Sequence, residues 1–218
     1  MIKGPSVLWA ALNNNIMKIK IKDIADIQIG YQFRGKIEAD PKGTHKVIQI
    51  RDFDELQNLQ VTNLYKVTPK YEVERYLVNK GDILFLARGH RNYAVPIKDS
   101  LENTIAASYF FILRLKSENV LPGYLAWFIK QATAKAYLYN IARRGTHMPM
   151  VPKSAFGDMP IDIPDLKTQK TIINLDNLLE KERSLLHQLQ EKRTLFINVI
   201  CLKATKKKDK KTQEEYNV

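Results

Sequence analysis

The chain has 218 residues, 44% of them hydrophobic, and carries 35 Lys and Arg against 23 Asp and Glu for a formal net charge of +12. That length and apolar content support one ordinary core plus an appendage and exclude wholesale disorder. The positive charge points to an acidic polymer as partner, with nucleic acid ahead of membrane because no basic amphipathic surface helix or lipidation motif is evident.

Residues 1–16 contain a short apolar run, Val7 to Leu12, too short for a membrane span and poor as a signal peptide, and are read as an N-terminal extension without assigned function. From Met17 the alternation at 18–21 and 24–29 predicts short extended elements closed by Gly30. Further strands are expected at 46–53, 82–87, 93–97 and 106–115, where β-branched and aromatic residues sit beside Gly, Asn or Asp. A helix pair is expected at 124–129 and 132–141, with Pro122 suited to a first turn, and a short third helix near Pro152, Lys153 and Ser154. Residues 17–164 thus read as a mixed α/β (α+β) domain.

Residues 166–204 hold no Gly or Pro and are rich in Leu, Ile, Glu, Lys and Gln, which predicts one helix of roughly 58 Å. Ile172, Leu175, Leu179, Leu186, Leu189, Phe196 and Ile200 step by threes and fours along it as a coiled-coil seam. Glu182 and Arg193 interrupt that seam at equivalent positions and would fix register if they met across an antiparallel partner. The competing expectation is that the seam packs on its own domain. The lone cysteine, Cys201, excludes an internal disulfide and a cysteine-rich zinc site, fits a reducing cytoplasm, and is expected to pack as a small hydrophobe. Residues 205–218, with Lys206, Lys207, Lys208, Lys210 and Lys211, are expected to form a basic disordered tail.

Three loops carry candidate chemistry. Gly30 to Lys36 has the spacing of a phosphate-binding loop, but Ile37 stands where a magnesium-binding Ser or Thr is needed and 38–41 does not open a helix. Presentation of Tyr31, Gln32, Arg34 and Lys36 to DNA fits better. The stretch Arg88, Gly89, His90, Arg91, Asn92 joins two expected strands and combines groups that can pair with guanine or adenine edges, although an ordinary polar hairpin has the same composition. Arg143, Arg144, Gly145, Thr146 and His147 form the third loop, in which Arg143 could equally serve a helix C-terminus. Arg51, Lys153 and Ser154 are candidate phosphate contacts, which position without specifying bases.

Catalytic signatures are missing from this reading. There is no Asn-Pro-Pro-Tyr or Asp-Pro-Pro-Tyr run, no Gly-rich cofactor loop and no Gly-x-Ser-x-Gly elbow. His45, His90, His147 and His187 lack metal-ligand spacing with acidic residues or Cys201. Pro164-Asp165 paired with Asp209-Lys210-Lys211 as a nuclease motif is a coincidence of the Lys-rich tail.

The order and spacing of several pieces resemble the specificity subunit of type I restriction-modification systems in a half-length form, with one target-recognition domain (17–164) and one spacer helix (165–204). The pieces are Ile24-Ala25-Asp26-Ile27 running to Gly35, 47–52, Gly81-Asp82-Ile83-Leu84-Phe85 followed by Ala87-Arg88-Gly89, 121–128, Gly145-Thr146, and Pro164-Asp165-Leu166 with Gln169 and Ile172. Members commonly carry two recognition domains and two helices that pack antiparallel. The resemblance implies a non-catalytic, cytoplasmic, DNA-binding adaptor that reads one half of a split site and pairs with itself or another half-subunit. Its implied partners are double-stranded DNA, a methyltransferase subunit and a restriction subunit, which would hold the S-adenosylmethionine, ATP and magnesium that this chain lacks. Two other classes stay open on the residues alone: a dimeric repressor or architectural protein, and a small nuclease or nucleotidase built on 30–36.

Overall fold

The structure, a computed structural model, describes residues 17–89, 91–142 and 149–215. The expected extension 1–16, His90, and the loop residues Arg143, Arg144, Gly145, Thr146 and His147 lie outside the described residues. The chain divides after Ile173 into a globule and a second unit whose described residues, 174–215, are helical.

Among the described residues, three small sheets build the globule. Strand β1 (Met17–Lys20) pairs antiparallel with β9 (Pro160–Ile163), and between β1 and β2 (Ala25–Ile29) the chain makes one helical turn, α1 (Ile21–Ile24). The central sheet has the order β2, β8 (Phe110–Leu115), β5 (Ile83–Leu86), β6 (Ala94–Pro96). A third sheet has β3 (His45–Ile48) between β4 (Tyr65–Val67) and β7 (Thr104–Ala106), with β7 parallel to β3. Every residue of β5 is buried, which explains its unbroken apolar sequence, since a strand covered on both faces needs no polar alternation. Its alternate side chains feed two cores. Ile83 and Phe85 join Phe111, Leu113, Leu125 and Phe156. Leu84 and Leu86 join Ile48, Phe110 and Ile112 on the other face. Phe85 stacks on Phe156 with ring centroids 4.3 Å apart.

Helices α2 (Pro122–Ile129), α3 (Ala132–Ile141) and α4 (Lys153–Gly157) stand where the sequence places them. Two expected strands are cut short. The one at 46–53 ends at Ile48 because the Gln49 amide turns to the Asp52 carboxylate (2.7 Å) and opens a 3-10 turn, Ile50–Asp52. The one at 106–115 divides into β7 and β8 because the Ala107 N–H crosses to the Ile48 carbonyl (3.0 Å) and the Phe110 N–H returns to the Ala107 carbonyl (3.0 Å).

The long helix α5 (Leu166–Glu215) is capped by Asp165, whose carboxylate accepts from the Thr168 amide (3.0 Å) and hydroxyl (2.7 Å). One turn in, Gln169 is fully buried with its amide satisfied: its oxygen accepts the Leu121 N–H (2.9 Å), and its nitrogen donates to the Asn119 and Pro164 carbonyls (both 2.8 Å). Ile172 and Ile173 pack against the core that holds Tyr124, Leu125 and Ile129, and the first unit ends at Ile173. Gly123 faces Ile173 so closely that a Cβ would sit 3.2 Å from its side chain. At its other end α5 runs on to Glu215. Residues 205–215 contain no Gly or Pro, and Lys, Gln and Glu propagate a helix already nucleated. Cys201 is exposed, not packed, because it falls just outside the apolar seam.

Gln169→Leu should cost about 1–3 kcal/mol in urea unfolding, since it removes the partner of the Leu121 amide and of the Asn119 and Pro164 carbonyls. Asp165 is held below the usual carboxylate range by the Thr168 hydroxyl first and the Thr168 amide second. A depressed folded-state pKa adds stability that is present above the unfolded value, about 3.9, and is lost as pH falls through the folded value. Wild type should therefore lose stability more steeply than Asp165→Asn on acidification below about pH 4, as read by unfolding midpoints across pH.

Candidate nucleic-acid interface

The strand ends of the central and third sheets meet at one turn, 107–109. Gly30, after β2, donates to the Phe110 carbonyl (2.9 Å), and Tyr31 donates to the Ala106 carbonyl (2.7 Å). Ile48, at the end of β3, accepts from Ala107, and Ala87, after β5, donates to the Tyr109 carbonyl (2.9 Å). Arg88 bridges to Met150, the Gly89 amide donates to the Pro149 carbonyl (2.8 Å), and the Val151 amide to the Ala87 carbonyl (2.9 Å). The segments after β2, β3 and β5, and the one leading into α4, therefore leave the same edge. The first three begin the stretches in which the sequence places candidate DNA contacts.

Gly30 explains itself here. A Cβ on it would lie 2.3 Å from the Ala107 carbonyl oxygen, so the glycine is required for strand contact. No helix follows Lys36 before β3, and the phosphate-loop geometry is not formed. Gly89 holds a backbone φ of +113° that side chains rarely adopt.

The structure gives the predicted residues different tasks. Tyr31 is buried, its ring edge-on to Phe33 (4.7 Å) and Tyr76 (5.3 Å), and its hydroxyl accepts the Lys70 (3.1 Å) and Tyr71 (3.3 Å) amides. It is the floor of a cleft. Gln32, Arg34 and Lys36 are exposed at its rim, together with Lys70 and Tyr71. Arg34 lies over the Tyr71 ring (5.5 Å) and Arg75 over Tyr76 (4.9 Å), an alternation of cations and aromatic faces suited to phosphates and bases. Arg51 is exposed, lies 3.3 Å over the Tyr65 ring centroid and is 3.7 Å from Asp52, whose carboxyl is pushed up by burial despite the Gln49 amide and Arg51. Arg91 is exposed, whereas the Asn92 side chain donates to the Leu86 carbonyl (2.8 Å) and is committed to the β5–β6 hairpin. Arg88 is half-buried beside Tyr109 and Met150. Lys153 and Ser154 are exposed at the start of α4.

Tyr65, Lys66, Lys70, Tyr71, Arg75 and Tyr76 escaped the sequence reading, although the basic and aromatic density of 65–76 was a usable signal. Lys46 and Lys66 face each other directly across β3 and β4, both exposed. Like charges so opposed destabilise a sheet until an anion neutralises them.

In the helical unit, Leu175, Leu179, Leu186, Leu189, Phe196 and Ile200 are exposed, as are Glu182 and Arg193. Ile172 alone of the predicted seam is spent on the globule. A second exposed stripe, Leu178, Leu185, Leu195, Val199 and Leu202, runs beside the seam. Among the described residues no group of three or more His, Cys, Asp or Glu side chains could hold a metal ion, and no helix is long and apolar enough to cross a membrane.

The family described as the type I restriction modification DNA specificity domain matches residues 13–194. The chain belongs to that family. The specificity domain is also similar in fold to solved structures. The type I restriction-modification system S subunit from M. genitalium has 17% identity and a TM-score of 0.55 over 81% of this chain and 42% of that one. The HsdS subunit from Thermoanaerobacter tengcongensis has 18% identity and a TM-score of 0.58 over 80% and 44%. A chain from a structure titled for complex assembly and conformational transition of the type I R-M system has 14% identity and a TM-score of 0.55 over 86% and 45%. No curated protein sequence matches it. The specificity domain chain thus spans less than half the length of these solved chains.

If Arg51 contacts phosphate, Arg51→Ala should weaken binding to all duplexes alike and lower the salt slope by about one. Arg91→Ala should cost about 1–3 kcal/mol, with preference relaxed at one base pair if the residue reads a base. Both are read by fluorescence anisotropy across salt concentrations and sequences.

Proposed function

We propose that this chain is the non-catalytic, sequence-reading subunit of a type I restriction-modification assembly, in which its single globule reads one half of a split DNA site. The observation that carries this reading is a specificity-family match running through one globule and into one helix whose apolar seam stands exposed. Its partners would be double-stranded DNA, a methyltransferase subunit and a restriction subunit, in the cytoplasm and away from membranes. S-adenosylmethionine, ATP and magnesium would be held by those partners. The chemistry of this chain would be limited to binding and positioning.

Two copies would join through α5. Setting Glu182 against Arg193 of an antiparallel second copy also sets Leu179 against Phe196, Leu186 against Leu189 and Leu175 against Ile200. Every apolar seam residue beyond Ile172 then meets another, and the two polar interruptions pair twice. A twofold homodimer of this kind favours inverted half-sites around an unread spacer. The second stripe, with Leu178, Leu185 and Val199, is available for the methyltransferase.

Leu179→Asp or Leu189→Asp should give a monomer by light scattering, because an unpaired carboxylate would be buried in the seam. An unchanged mass removes the helix from dimerisation. The function itself is tested by selection from a random duplex library at physiological salt, with and without a candidate methyltransferase, followed by sequencing. A split motif with a fixed spacer, sharper with the partner, is the expected result. A motif recovered equally well without any partner effect would favour a repressor instead.

A further inference from the structure

Among the described residues, two buried side-chain nitrogens have no hydrogen-bond acceptor: Gln49 Nε2 and Arg88 Nε. Both follow strands that end at the 107–109 turn. Gln49 succeeds Ile48, which pairs with Ala106, and Arg88 lies two residues beyond Leu86, which pairs with Phe110. Among the described residues, Arg88 contacts an aromatic ring and a sulfur. Its guanidinium lies 5.7 Å over the Tyr109 ring, and its Nη2 donates to the Met150 sulfur at 3.6 Å, a weak acceptor. The other arginines nearby are served differently. Arg51 has Asp52 and the Tyr65 face, and Arg114 has Asp82 (3.4 Å) and the Leu77 carbonyl.

An orphaned buried donor weakens the fold that contains it, whereas an apolar side chain of the same shape would not. Two such donors at one edge, both of residue types that pair bidentately with purines, invite a ligand rich in acceptors. We propose that Gln49 and Arg88 are reserve donors, tucked beside the 107–109 turn in the free chain, that swing out to complete their hydrogen bonds on acceptor atoms of duplex DNA. This rests on the DNA-reading function proposed above and deepens it. The acceptors are either purine edges, which would make the pair a determinant of specificity, or phosphate oxygens, which would make it a positioning device. The sequence reading included Arg88 on composition and missed Gln49, because an unmet donor is visible only in the fold.

The test uses the full chain with Gln49→Met and Arg88→Met, which keep approximate size and remove the donors. Urea midpoints are measured together with affinity for mixed-sequence duplex and for the duplex selected from the random library. Because the Gln49 side chain also takes part in the capping box with Asp52, the midpoint is read on Arg88→Met, where it should equal or exceed wild type. Both variants should lower affinity for the selected duplex roughly 5- to 150-fold. A lowered midpoint would mean that the donor has a structural role, and overturns the proposal. Unchanged affinity for both duplexes does the same while leaving the DNA-reading function intact. Failure of the wild-type chain to hold any duplex overturns both. Arg88→Lys separates the sources: a phosphate contact is largely retained by lysine, whereas a bidentate purine contact is lost and the selected duplex falls toward the mixed-sequence one.

Discussion

One buried amide governs how the chain is organised. Gln169, itself fully buried, joins the start of the helix to the globule with three hydrogen bonds, to segment 119–121 and to Pro164. Asp165 caps the helix four residues earlier, and Ile172 and Ile173 fill the space after it. The first two turns of α5 are therefore part of the globule's core, which fixes where the helix begins and which of its faces the globule uses.

The second constraint is the 107–109 turn. Its hydrogen bonds are made by backbone groups of Gly30, Ile48, Ala87 and Tyr109, while the side chains that follow each strand point to other tasks. Backbone pairing supplies a rigid edge, and cations and aromatics such as Arg34 with Tyr71 or Arg51 with Tyr65 supply the chemistry on it. The paired Lys46 and Lys66 fit the same picture, as an electrostatic cost that a polyanion removes.

Much of this was legible in the residues. The long helix, the helix pair and the buried strand at 83–86 declare themselves through propensity and unbroken apolar runs. The errors came where local polar chemistry interrupts an apolar pattern: Asp52 drawing the Gln49 amide, and Ala107 turning to Ile48, both invisible to periodicity. At the candidate interface, composition found the exposed Gln32, Arg34, Lys36, Arg51 and Arg91. It could not foresee that Tyr31 serves as a floor and Asn92 as a hairpin brace, because those tasks depend on backbone partners distant in sequence.

The backbone character of the 107–109 turn bears on how such a protein can change over generations. A substitution in the segments after β2, β3 or β5 alters what faces outward without breaking the amide-to-carbonyl bonds that hold the edge. Positions such as Gly30, where a methyl group would strike the Ala107 carbonyl, Gly89, with its positive φ, and the buried Tyr31 resist variation. New preferences can therefore accumulate in those segments while the scaffold stays folded, which separates the inheritance of shape from the drift of recognition.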